Sequence, residues 1–349
     1  MHGTQPILME SSFPEALNME QPQAQTFHVT AAEAGKTLAG ALRAWQPGQS
    51  WTQVKQVIER RRVLVNGNLC VDDARRLKVG EVVKLLARPK AKPPEPEQVR
   101  IRYLDDEVVV VEKPAEVTTV RHPEERDWPE RRKQKQPTLD ELLPKVVARE
   151  LRLHGRAVPG ERRLPRIRAV HRLDRDTSGL MVFARTEAAE RHLGRQFRDH
   201  SIHRVYWAVV LGQWTQDRTL ESDLVRDRGD GRRGSKPLPD LAVGKHAVTH
   251  VRPIEVLKDY TLVECRLETG RTHQIRIHLA EAGHMLCGEK VYNKMLDGKT
   301  IPDPSGAPRI ALHAVELGFV HPTHQGKLQF HMPLPPDLAT WWARLKETS

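Results

Sequence analysis

The chain has 349 residues, with 56 Lys or Arg against 45 Asp or Glu, a formal charge of +11 and a pI near 9.7. That length allows two domains, one with a sizeable core, and the charge points to a polyanionic partner. No apolar run approaches the ~18 residues of a membrane span. Three scattered cysteines without a CxxC pair argue against a disulfide framework and fit a reducing cytoplasm.

Residues 1–26 are polar, bear Pro and Gln, and lack the basic-then-apolar order of a secretory signal, so a disordered tail is expected. Residues 27–89 read as a compact basic unit. Leu38, Leu42 and Trp45 recur at helical spacing, and Trp51, Val54, Val57 and Ile58 repeat the pattern in a second helix, with Gln53, Lys55 and Gln56 outward. Arg60, Arg61 and Arg62 form a basic corner before the short strand Val63–Val65 and an Asn66-Gly67 turn. A second turn and strand, Val79 to Leu85, close the unit. Residues 90–99 are Pro-rich and charged, an extended and stiff linker.

The order helix, helix, V-x-VNG, V-G-E-x-V resembles the αL RNA-binding fold of a small-subunit ribosomal protein. The resemblance implies RNA contacts at Lys55, Arg60, Arg61 and Arg62. On charge alone the same run is a solvated face, as most are. Lys36-Thr37-Leu38 replaces the Arg-Leu-Asp that usually leads the first helix.

From residue 100 to 349 one larger body is expected. Asp105-Asp106-Glu107 turns into a run of four valines and then Lys113-Pro114. Residues 121–168 are an Arg- and Pro-rich insertion with one helix, Leu139 to Leu151. Its basic remainder, including Arg131, Arg132, Lys133, Arg162 and Arg163, reads as a mobile loop that orders on RNA. A polar cluster, residues 171–179, is followed at once by apolar Leu180 to Ala184, a loop held at the mouth of a buried strand. A helix over Glu187–Phe197, a strand over Ile202–Gly212 and a hairpin loop over 225–244 follow. Further strands are expected near Lys245–Thr249, Val256–Leu267, Ile310–His313 and Gly318–Val320. Many short strands with few helices between them predict an α+β fold with a mixed, mainly antiparallel sheet.

On residues alone, Asp174-Arg175-Asp176-Thr177 fits a salt-bridge knot on a turn, which is the bland favourite. An aspartyl phosphotransferase would need its strand to lead into the first Asp, whereas here the strand follows. The continuous His171-Arg172-Leu173-Asp174…Thr177-Ser178-Gly179-Leu180, however, resembles the HRLD-x-x-TSG-L signature of RNA pseudouridine synthases of the RluA type. Tyr206 within Y-W-A-V-V-x-G, ETGRTHQIRIHLA from Glu268, GHMLCGEKVY from Gly283, and Leu312-His313-Ala314 agree with the same family in order and spacing. Glu116 stands where the family has Gly, Met285 where it has Pro, and Glu289 where it has Asp. The last two are expected to lie away from the chemistry.

The resemblance implies the pseudouridine synthase fold and isomerisation of uridine within RNA. Such a reaction breaks the glycosidic bond, turns the uracil and joins carbon 5 to the sugar, with no redox change, so no cofactor is required. It assigns Asp174 as the catalytic carboxylate, acting as nucleophile or as a base on the sugar. Arg276 becomes the cation that keeps it charged. Tyr206 becomes the aromatic that stacks on the base and takes the carbon-5 proton. Arg172 becomes the residue entering RNA as the target base leaves its stack. Without the family, Arg276 is an ordinary surface pair and Tyr206 a core aromatic. Asp176 is expected only to order the loop.

No metal site is expected. The best pairs among 17 histidines, His246 with His250 and His273 with His278, form no His-Glu-x-x-His helix, and the latter pair reads as structural on a strand. A cytoplasmic monomer acting on RNA is expected, on large-subunit ribosomal RNA by analogy, with tRNA open. The competing class is a non-catalytic RNA chaperone or ribosome-assembly factor. It predicts loss of Asp174, Tyr206 or Arg276, and all three are present.

Overall fold

The computed structural model describes residues 24–66, 68–87, 89, 99–155, 164–228, 232–235, 244–293 and 299–348. The expected linker, apart from Val99, and most of the expected tail lie outside them. The chain divides into two compact units, Met1–Lys92 and Pro93–Ser349.

In the first unit, α1 (Leu38–Trp45) and α2 (Trp51–Glu59) stand beside a four-stranded sheet of order β1-β4-β2-β3. The strands are β1 (Gln25–His28), β2 (Val63–Val65), β3 (Asn68–Leu69) and β4 (Val82–Leu85). Thr37 caps α1 by accepting from the Gly40 amide, and Ser50 and Gln53 close a reciprocal capping box on α2. Leu38, Leu42, Val54 and Ile58 then meet Val63, Val65 and Val83 in one core. Strand β1 begins inside the stretch expected to be tail, because Gln25 and Thr26 pair with Leu85 and Lys84. Trp51, expected on the buried face of α2, is 47% exposed with the Arg43 guanidinium 4.8 Å above its ring.

The second unit is built on an eleven-stranded sheet. Its strands are β5 (Arg100–Leu104), β6 (Val108–Lys113), β7 (Arg168–Ala169), β8 (Ser178–Ala184), β9 (His203–Leu211), β10 (Arg218–Val225), β11 (Gly234–Ser235), β12 (Lys245–Val256), β13 (Tyr260–Leu267), β14 (Leu312–Val320) and β15 (Lys327–His331). The order is β11-β10-β12-β13-β9-β14-β8-β6-β5, with β15 on β14 and β7 on β8. Among the described residues every pairing is antiparallel except β8 with β14, as the expected α+β class requires. Gly179 makes that parallel contact possible. Its φ is +129°, and a Cβ would sit on the Ala314 carbonyl oxygen.

Helices cover the sheet: α3 (Glu130–Lys135), α4 (Leu139–Leu153), α5 (Glu187–Arg198), α6 (Gln274–Glu281) and α7 (Pro336–Thr348). Four differ from expectation. Helix α3 carries Arg131, Arg132 and Lys133, residues of the expected mobile loop. Helix α4 is not set in a loose insertion: Leu139, Leu143, Val146, Val147 and Leu151 join the same core as Tyr206, and Arg121 is tied to Glu141 at 2.5 Å. Arg162 and Arg163, and the side chains of Arg131 and Arg132, lie outside the described residues. Helix α6 occupies a segment expected to be a strand. Ile275, Ile277 and Leu279 alternate as in a strand, but the helix is buried on all sides, Gln274 through Leu279, so it carries no amphipathic stripe to mark its period. Helix α7 was masked by its Pro-rich lead-in. Pro336 opens it, where a missing amide costs nothing, and Trp341 and Trp342 bury against Tyr260 and Leu262. Val99, expected in the linker, is 1% exposed in the main core.

Candidate active site

The segment 170–177 joins β7 to β8, and its backbone is tied down from beneath. Lys113, at the end of β6, is 1% exposed, and its ammonium donates to the carbonyls of Thr177 (2.6 Å), Arg175 (3.1 Å) and Pro114 (3.0 Å). Burial pulls its pKa down to about 7, against the charges of Asp176 and Asp174. Thr119 donates to the Leu173 carbonyl at 2.8 Å and accepts from its amide at 3.2 Å. Glu116 takes φ +66°, so it serves in the left-handed position where the family has glycine. Its carbonyl accepts from Arg175 Nε at 3.3 Å.

With the backbone fixed, the Asp174 side chain reaches a cavity of about 540 Å³ lined also by His171, Arg172, Tyr206, His273 and Arg276. Asp174 Oδ2 lies 3.8 Å from Arg276 Nη1, and Oδ1 lies 3.9 Å from His273 Nε2. The two expected partners, far apart in the sequence, are therefore together. Tyr206 joins them from β9, and Arg172 is exposed at the rim.

Arg276 is not free to move. Its Nε and Nη2 donate to the two carboxylate oxygens of Glu289 at 2.8 and 2.7 Å, and the Glu289 side chain is fully buried. Glu289 also accepts from the amides of Lys290 and Val291 at 2.9 and 2.8 Å. Burial works against both charges, but the pair's bonds and mutual attraction raise the guanidinium and lower the carboxyl. This corrects the expectation that Glu289 lies away from the chemistry. A bidentate fork of this kind leaves only Nη1 of Arg276 facing Asp174.

His273, at the start of α6, sits at φ +60° and places its Nδ1 2.7 Å from the Tyr292 hydroxyl. Burial lowers His273, with Asp174 opposing, and raises Tyr292, so both are neutral at pH 7. The tautomer with its proton on Nε2, facing the Asp174 carboxylate, lets Nδ1 accept from the Tyr292 hydroxyl. His171 is likewise neutral, pulled by burial to about 3, and its Nε2 accepts from the Val182 amide at 3.1 Å. Burial raises Tyr206, Arg204 opposes and Asp174 adds, so Tyr206 meets a ligand as a protonated phenol.

Lys113, Thr119, His273 and Tyr292 escaped the sequence reading. Lys113 carried a signal: a lysine closing a fully apolar strand run is buried and needs acceptors. The others depended on contacts between remote segments. Of the RNA candidates in the first unit, Lys55 and Arg60 are exposed, Lys55 beside Asp73 at 3.7 Å. Arg61 is 9% exposed at φ +61°, and Arg62 Nε donates to the Leu86 carbonyl at 2.8 Å, so the corner offers solvent less charge than its three arginines suggest. The histidine pairs do not converge as ligands. His246 faces Glu221 and Asp223, His250 joins Thr219 and Glu268, and His278 joins Thr249 and Ser222. Asp105, His321 and His324 do converge, but His321 uses Nε2 on Asp105 and Nδ1 on the Thr323 amide, so the group pins a turn.

A family model described as RNA pseudouridylate synthase matches residues 107–281. The chain belongs to that family. It is an isomerase that converts uridine to pseudouridine in RNA. The synthase is 36% identical over 254 residues to the ribosomal large subunit pseudouridine synthase D of Zymomonas mobilis, covering 72% of this chain and 74% of that one. It is 33% identical over 334 residues to the protein of the same name from Escherichia coli O157:H7, covering 92% and 94%. Its fold is similar to that of the human RNA pseudouridylate synthase domain containing 4, with a TM-score of 0.54 at 20% identity, over 70% of this chain and 92% of the human one. Among the described residues, no helix of the synthase is long and apolar enough to cross a membrane.

Proposed function

We propose that this synthase modifies uridines of large-subunit ribosomal RNA in the cytoplasm, with Asp174 as its reacting carboxylate. The names of the relatives support the substrate. The observation that carries the assignment is the Asp174–Arg276 pair, 3.8 Å apart in a cavity of nucleotide size.

In this reading the target nucleotide leaves its stack and Arg172 fills the gap. Asp174 engages the sugar, either as a nucleophile at the electrophilic carbon or as a base. The bond from the sugar to N1 breaks, the uracil turns, and carbon 5 bonds to the sugar. The carbon-5 proton is lost and N1 gains one, so the sum is an isomerisation. Arg276 and the Nε2–H of His273 hold the Asp174 charge in place before and after its engagement. Tyr206 presents its ring to the base, and accepting the carbon-5 proton requires that its phenol first give up its own. Residues 27–89, with Lys55 and Arg60 exposed, serve as a separate RNA-binding domain, and the catalytic domain takes the remainder beyond the linker.

The test is tritium release from carbon-5-labelled uridine in RNA. Asp174→Asn abolishes release while still binding RNA, and wild-type turnover by that variant would refute the assignment. A pseudouridine map of bulk RNA with and without the gene identifies the substrate. Changes confined to tRNA would remove the ribosomal reading.

A further inference from the structure

The cavity holds one carboxylate, Asp174, but is lined by five arginines: Arg172, Arg198, Arg204, Arg271 and Arg276. Among the described residues, only Arg276 is matched by an acid of its own, Glu289. Arginines elsewhere in the domain are routinely paired, Arg252 and Arg266 with Glu264, Arg309 with Asp337, and Arg168 with Glu187. Among the described residues no carboxylate lies within ion-pair distance of Arg204 or Arg198.

Arg204 is the most constrained of the unmatched cations. It lies two residues before Tyr206 on β9, so its side chain leaves the same face of the sheet, about 7 Å along the strand. Its guanidinium rests 5.6 Å from the centre of the Phe197 ring, which itself stacks on His171 at 4.5 Å. Gly270 closes the other approach, since a Cβ there would come within 2.8 Å of Nη1. Nη2 reaches the Glu268 carbonyl only at 3.5 Å, and Nε is buried with no partner. A guanidinium held on an aromatic ring, partly desolvated and without a counter-ion, is prepared for an anion. Arg198, at the end of α5, is exposed on the same rim.

A nucleotide entering sugar-first towards Asp174 cannot bring its phosphate to that carboxylate, because the like charges repel. The phosphate must remain towards the arginines. We infer that Arg204, with Arg198 beside it, is the seat of an RNA backbone phosphodiester adjoining the nucleotide in the cavity. This rests on the reading of the cavity as the uridine site. The phosphate group positions the strand and carries no base preference of its own.

The probe is the ribosomal RNA stem-loop assigned by the pseudouridine map, synthesised with single neutral methylphosphonates at each linkage flanking the target. Wild type is expected to bind one of these about tenfold more weakly, the order of a lost charge-assisted contact. Arg204→Gln should bind unmodified RNA more weakly by a similar factor and be indifferent to that methylphosphonate. Its slope of log affinity against log salt should be lower by roughly 0.7. Arg198→Gln, at an exposed position, should show a smaller change of the same sign. Equal penalties in wild type and Arg204→Gln at every linkage, with equal salt slopes, would overturn the proposal. Should Arg204→Gln fail to fold, the linkage scan on wild type alone decides, and a flat scan overturns it. Wild-type tritium release from the same RNA separates the two ideas. Release with a flat scan discards only the phosphate seat, whereas a position-specific scan without release discards the uridine reading.

Discussion

Replacing Glu289 by Gln tests whether the Arg276 fork is what holds Asp174 in a working geometry. The change keeps the volume, removes the charge, and sets an amide NH₂ against one of the two Arg276 donors that now bond at 2.7 and 2.8 Å. Removing one partner of a buried pair costs about 3–5 kcal/mol, because the other charge is left uncompensated. Asp174, 3.8 Å away, moderates this, so about 3 kcal/mol is the working figure. For a domain of this size that is roughly 6–12 °C in Tm. Arg276 then swings onto Asp174 and ties up the oxygen that, in the role proposed for it, engages the sugar, and a displacement of this kind costs on the order of 100-fold in rate. The measurements are thermal unfolding across pH and tritium release at pH 7. Glu289 is held below its ordinary value of 4.5, so its contribution to stability is complete above that pH and is lost as pH falls through the lower folded value. The gap in Tm between wild type and variant is therefore widest at neutral pH and narrows in acid. Glu289→Asp keeps the charge and should lie between the two. If Glu289→Gln melts within about 1 °C of wild type at pH 7 and turns over normally, Arg276 is not held as described.

Tyr292→Phe frees the Nδ1 of His273 and lets its proton leave Nε2, so turnover falls about 3- to 10-fold, the equivalent of one hydrogen bond, with little change in Tm. An unchanged rate would show that the imidazole tautomer does not matter. Gly179→Ala forces a Cβ onto the Ala314 backbone, 2.5 Å from its nitrogen, at a φ that side chains avoid, and should destabilise by more than about 4 kcal/mol. Soluble protein with a wild-type melting curve would contradict the close approach of β8 and β14. Lys55→Gln combined with Arg60→Gln should weaken RNA binding and lower the salt slope by about 1 to 2, since both side chains are exposed. An identical slope would count against RNA binding by the first unit.

The family and its chemistry were legible in the sequence because they rest on side-chain identities at fixed short offsets, as in residues 171–180, and such offsets survive without knowledge of the fold. Strands β6, β8 and β9 were legible for a related reason: a segment buried on both faces writes its environment into a continuous apolar run. Where burial surrounds a helix, as in α6, the same logic misled, because Ile275, Ile277 and Leu279 satisfy either period.

Local chemistry, then, determined by itself the composition of the Asp174 loop, the net positive charge and the predominance of strands. Tertiary structure alone decided who restrains whom. Glu289 reads as a motif departure until its carboxylate is seen forked onto Arg276. Lys113 reads as the end of a strand until its ammonium is seen holding two carbonyls of the Asp174 loop. Arg204 reads as one residue of a strand until, among the described residues, no acid is found within ion-pair distance of it. Each of these depends on the distance between groups far apart in the chain, and that distance is set by how the whole sheet and its covering helices bury their apolar surface, which no local stretch of residues encodes.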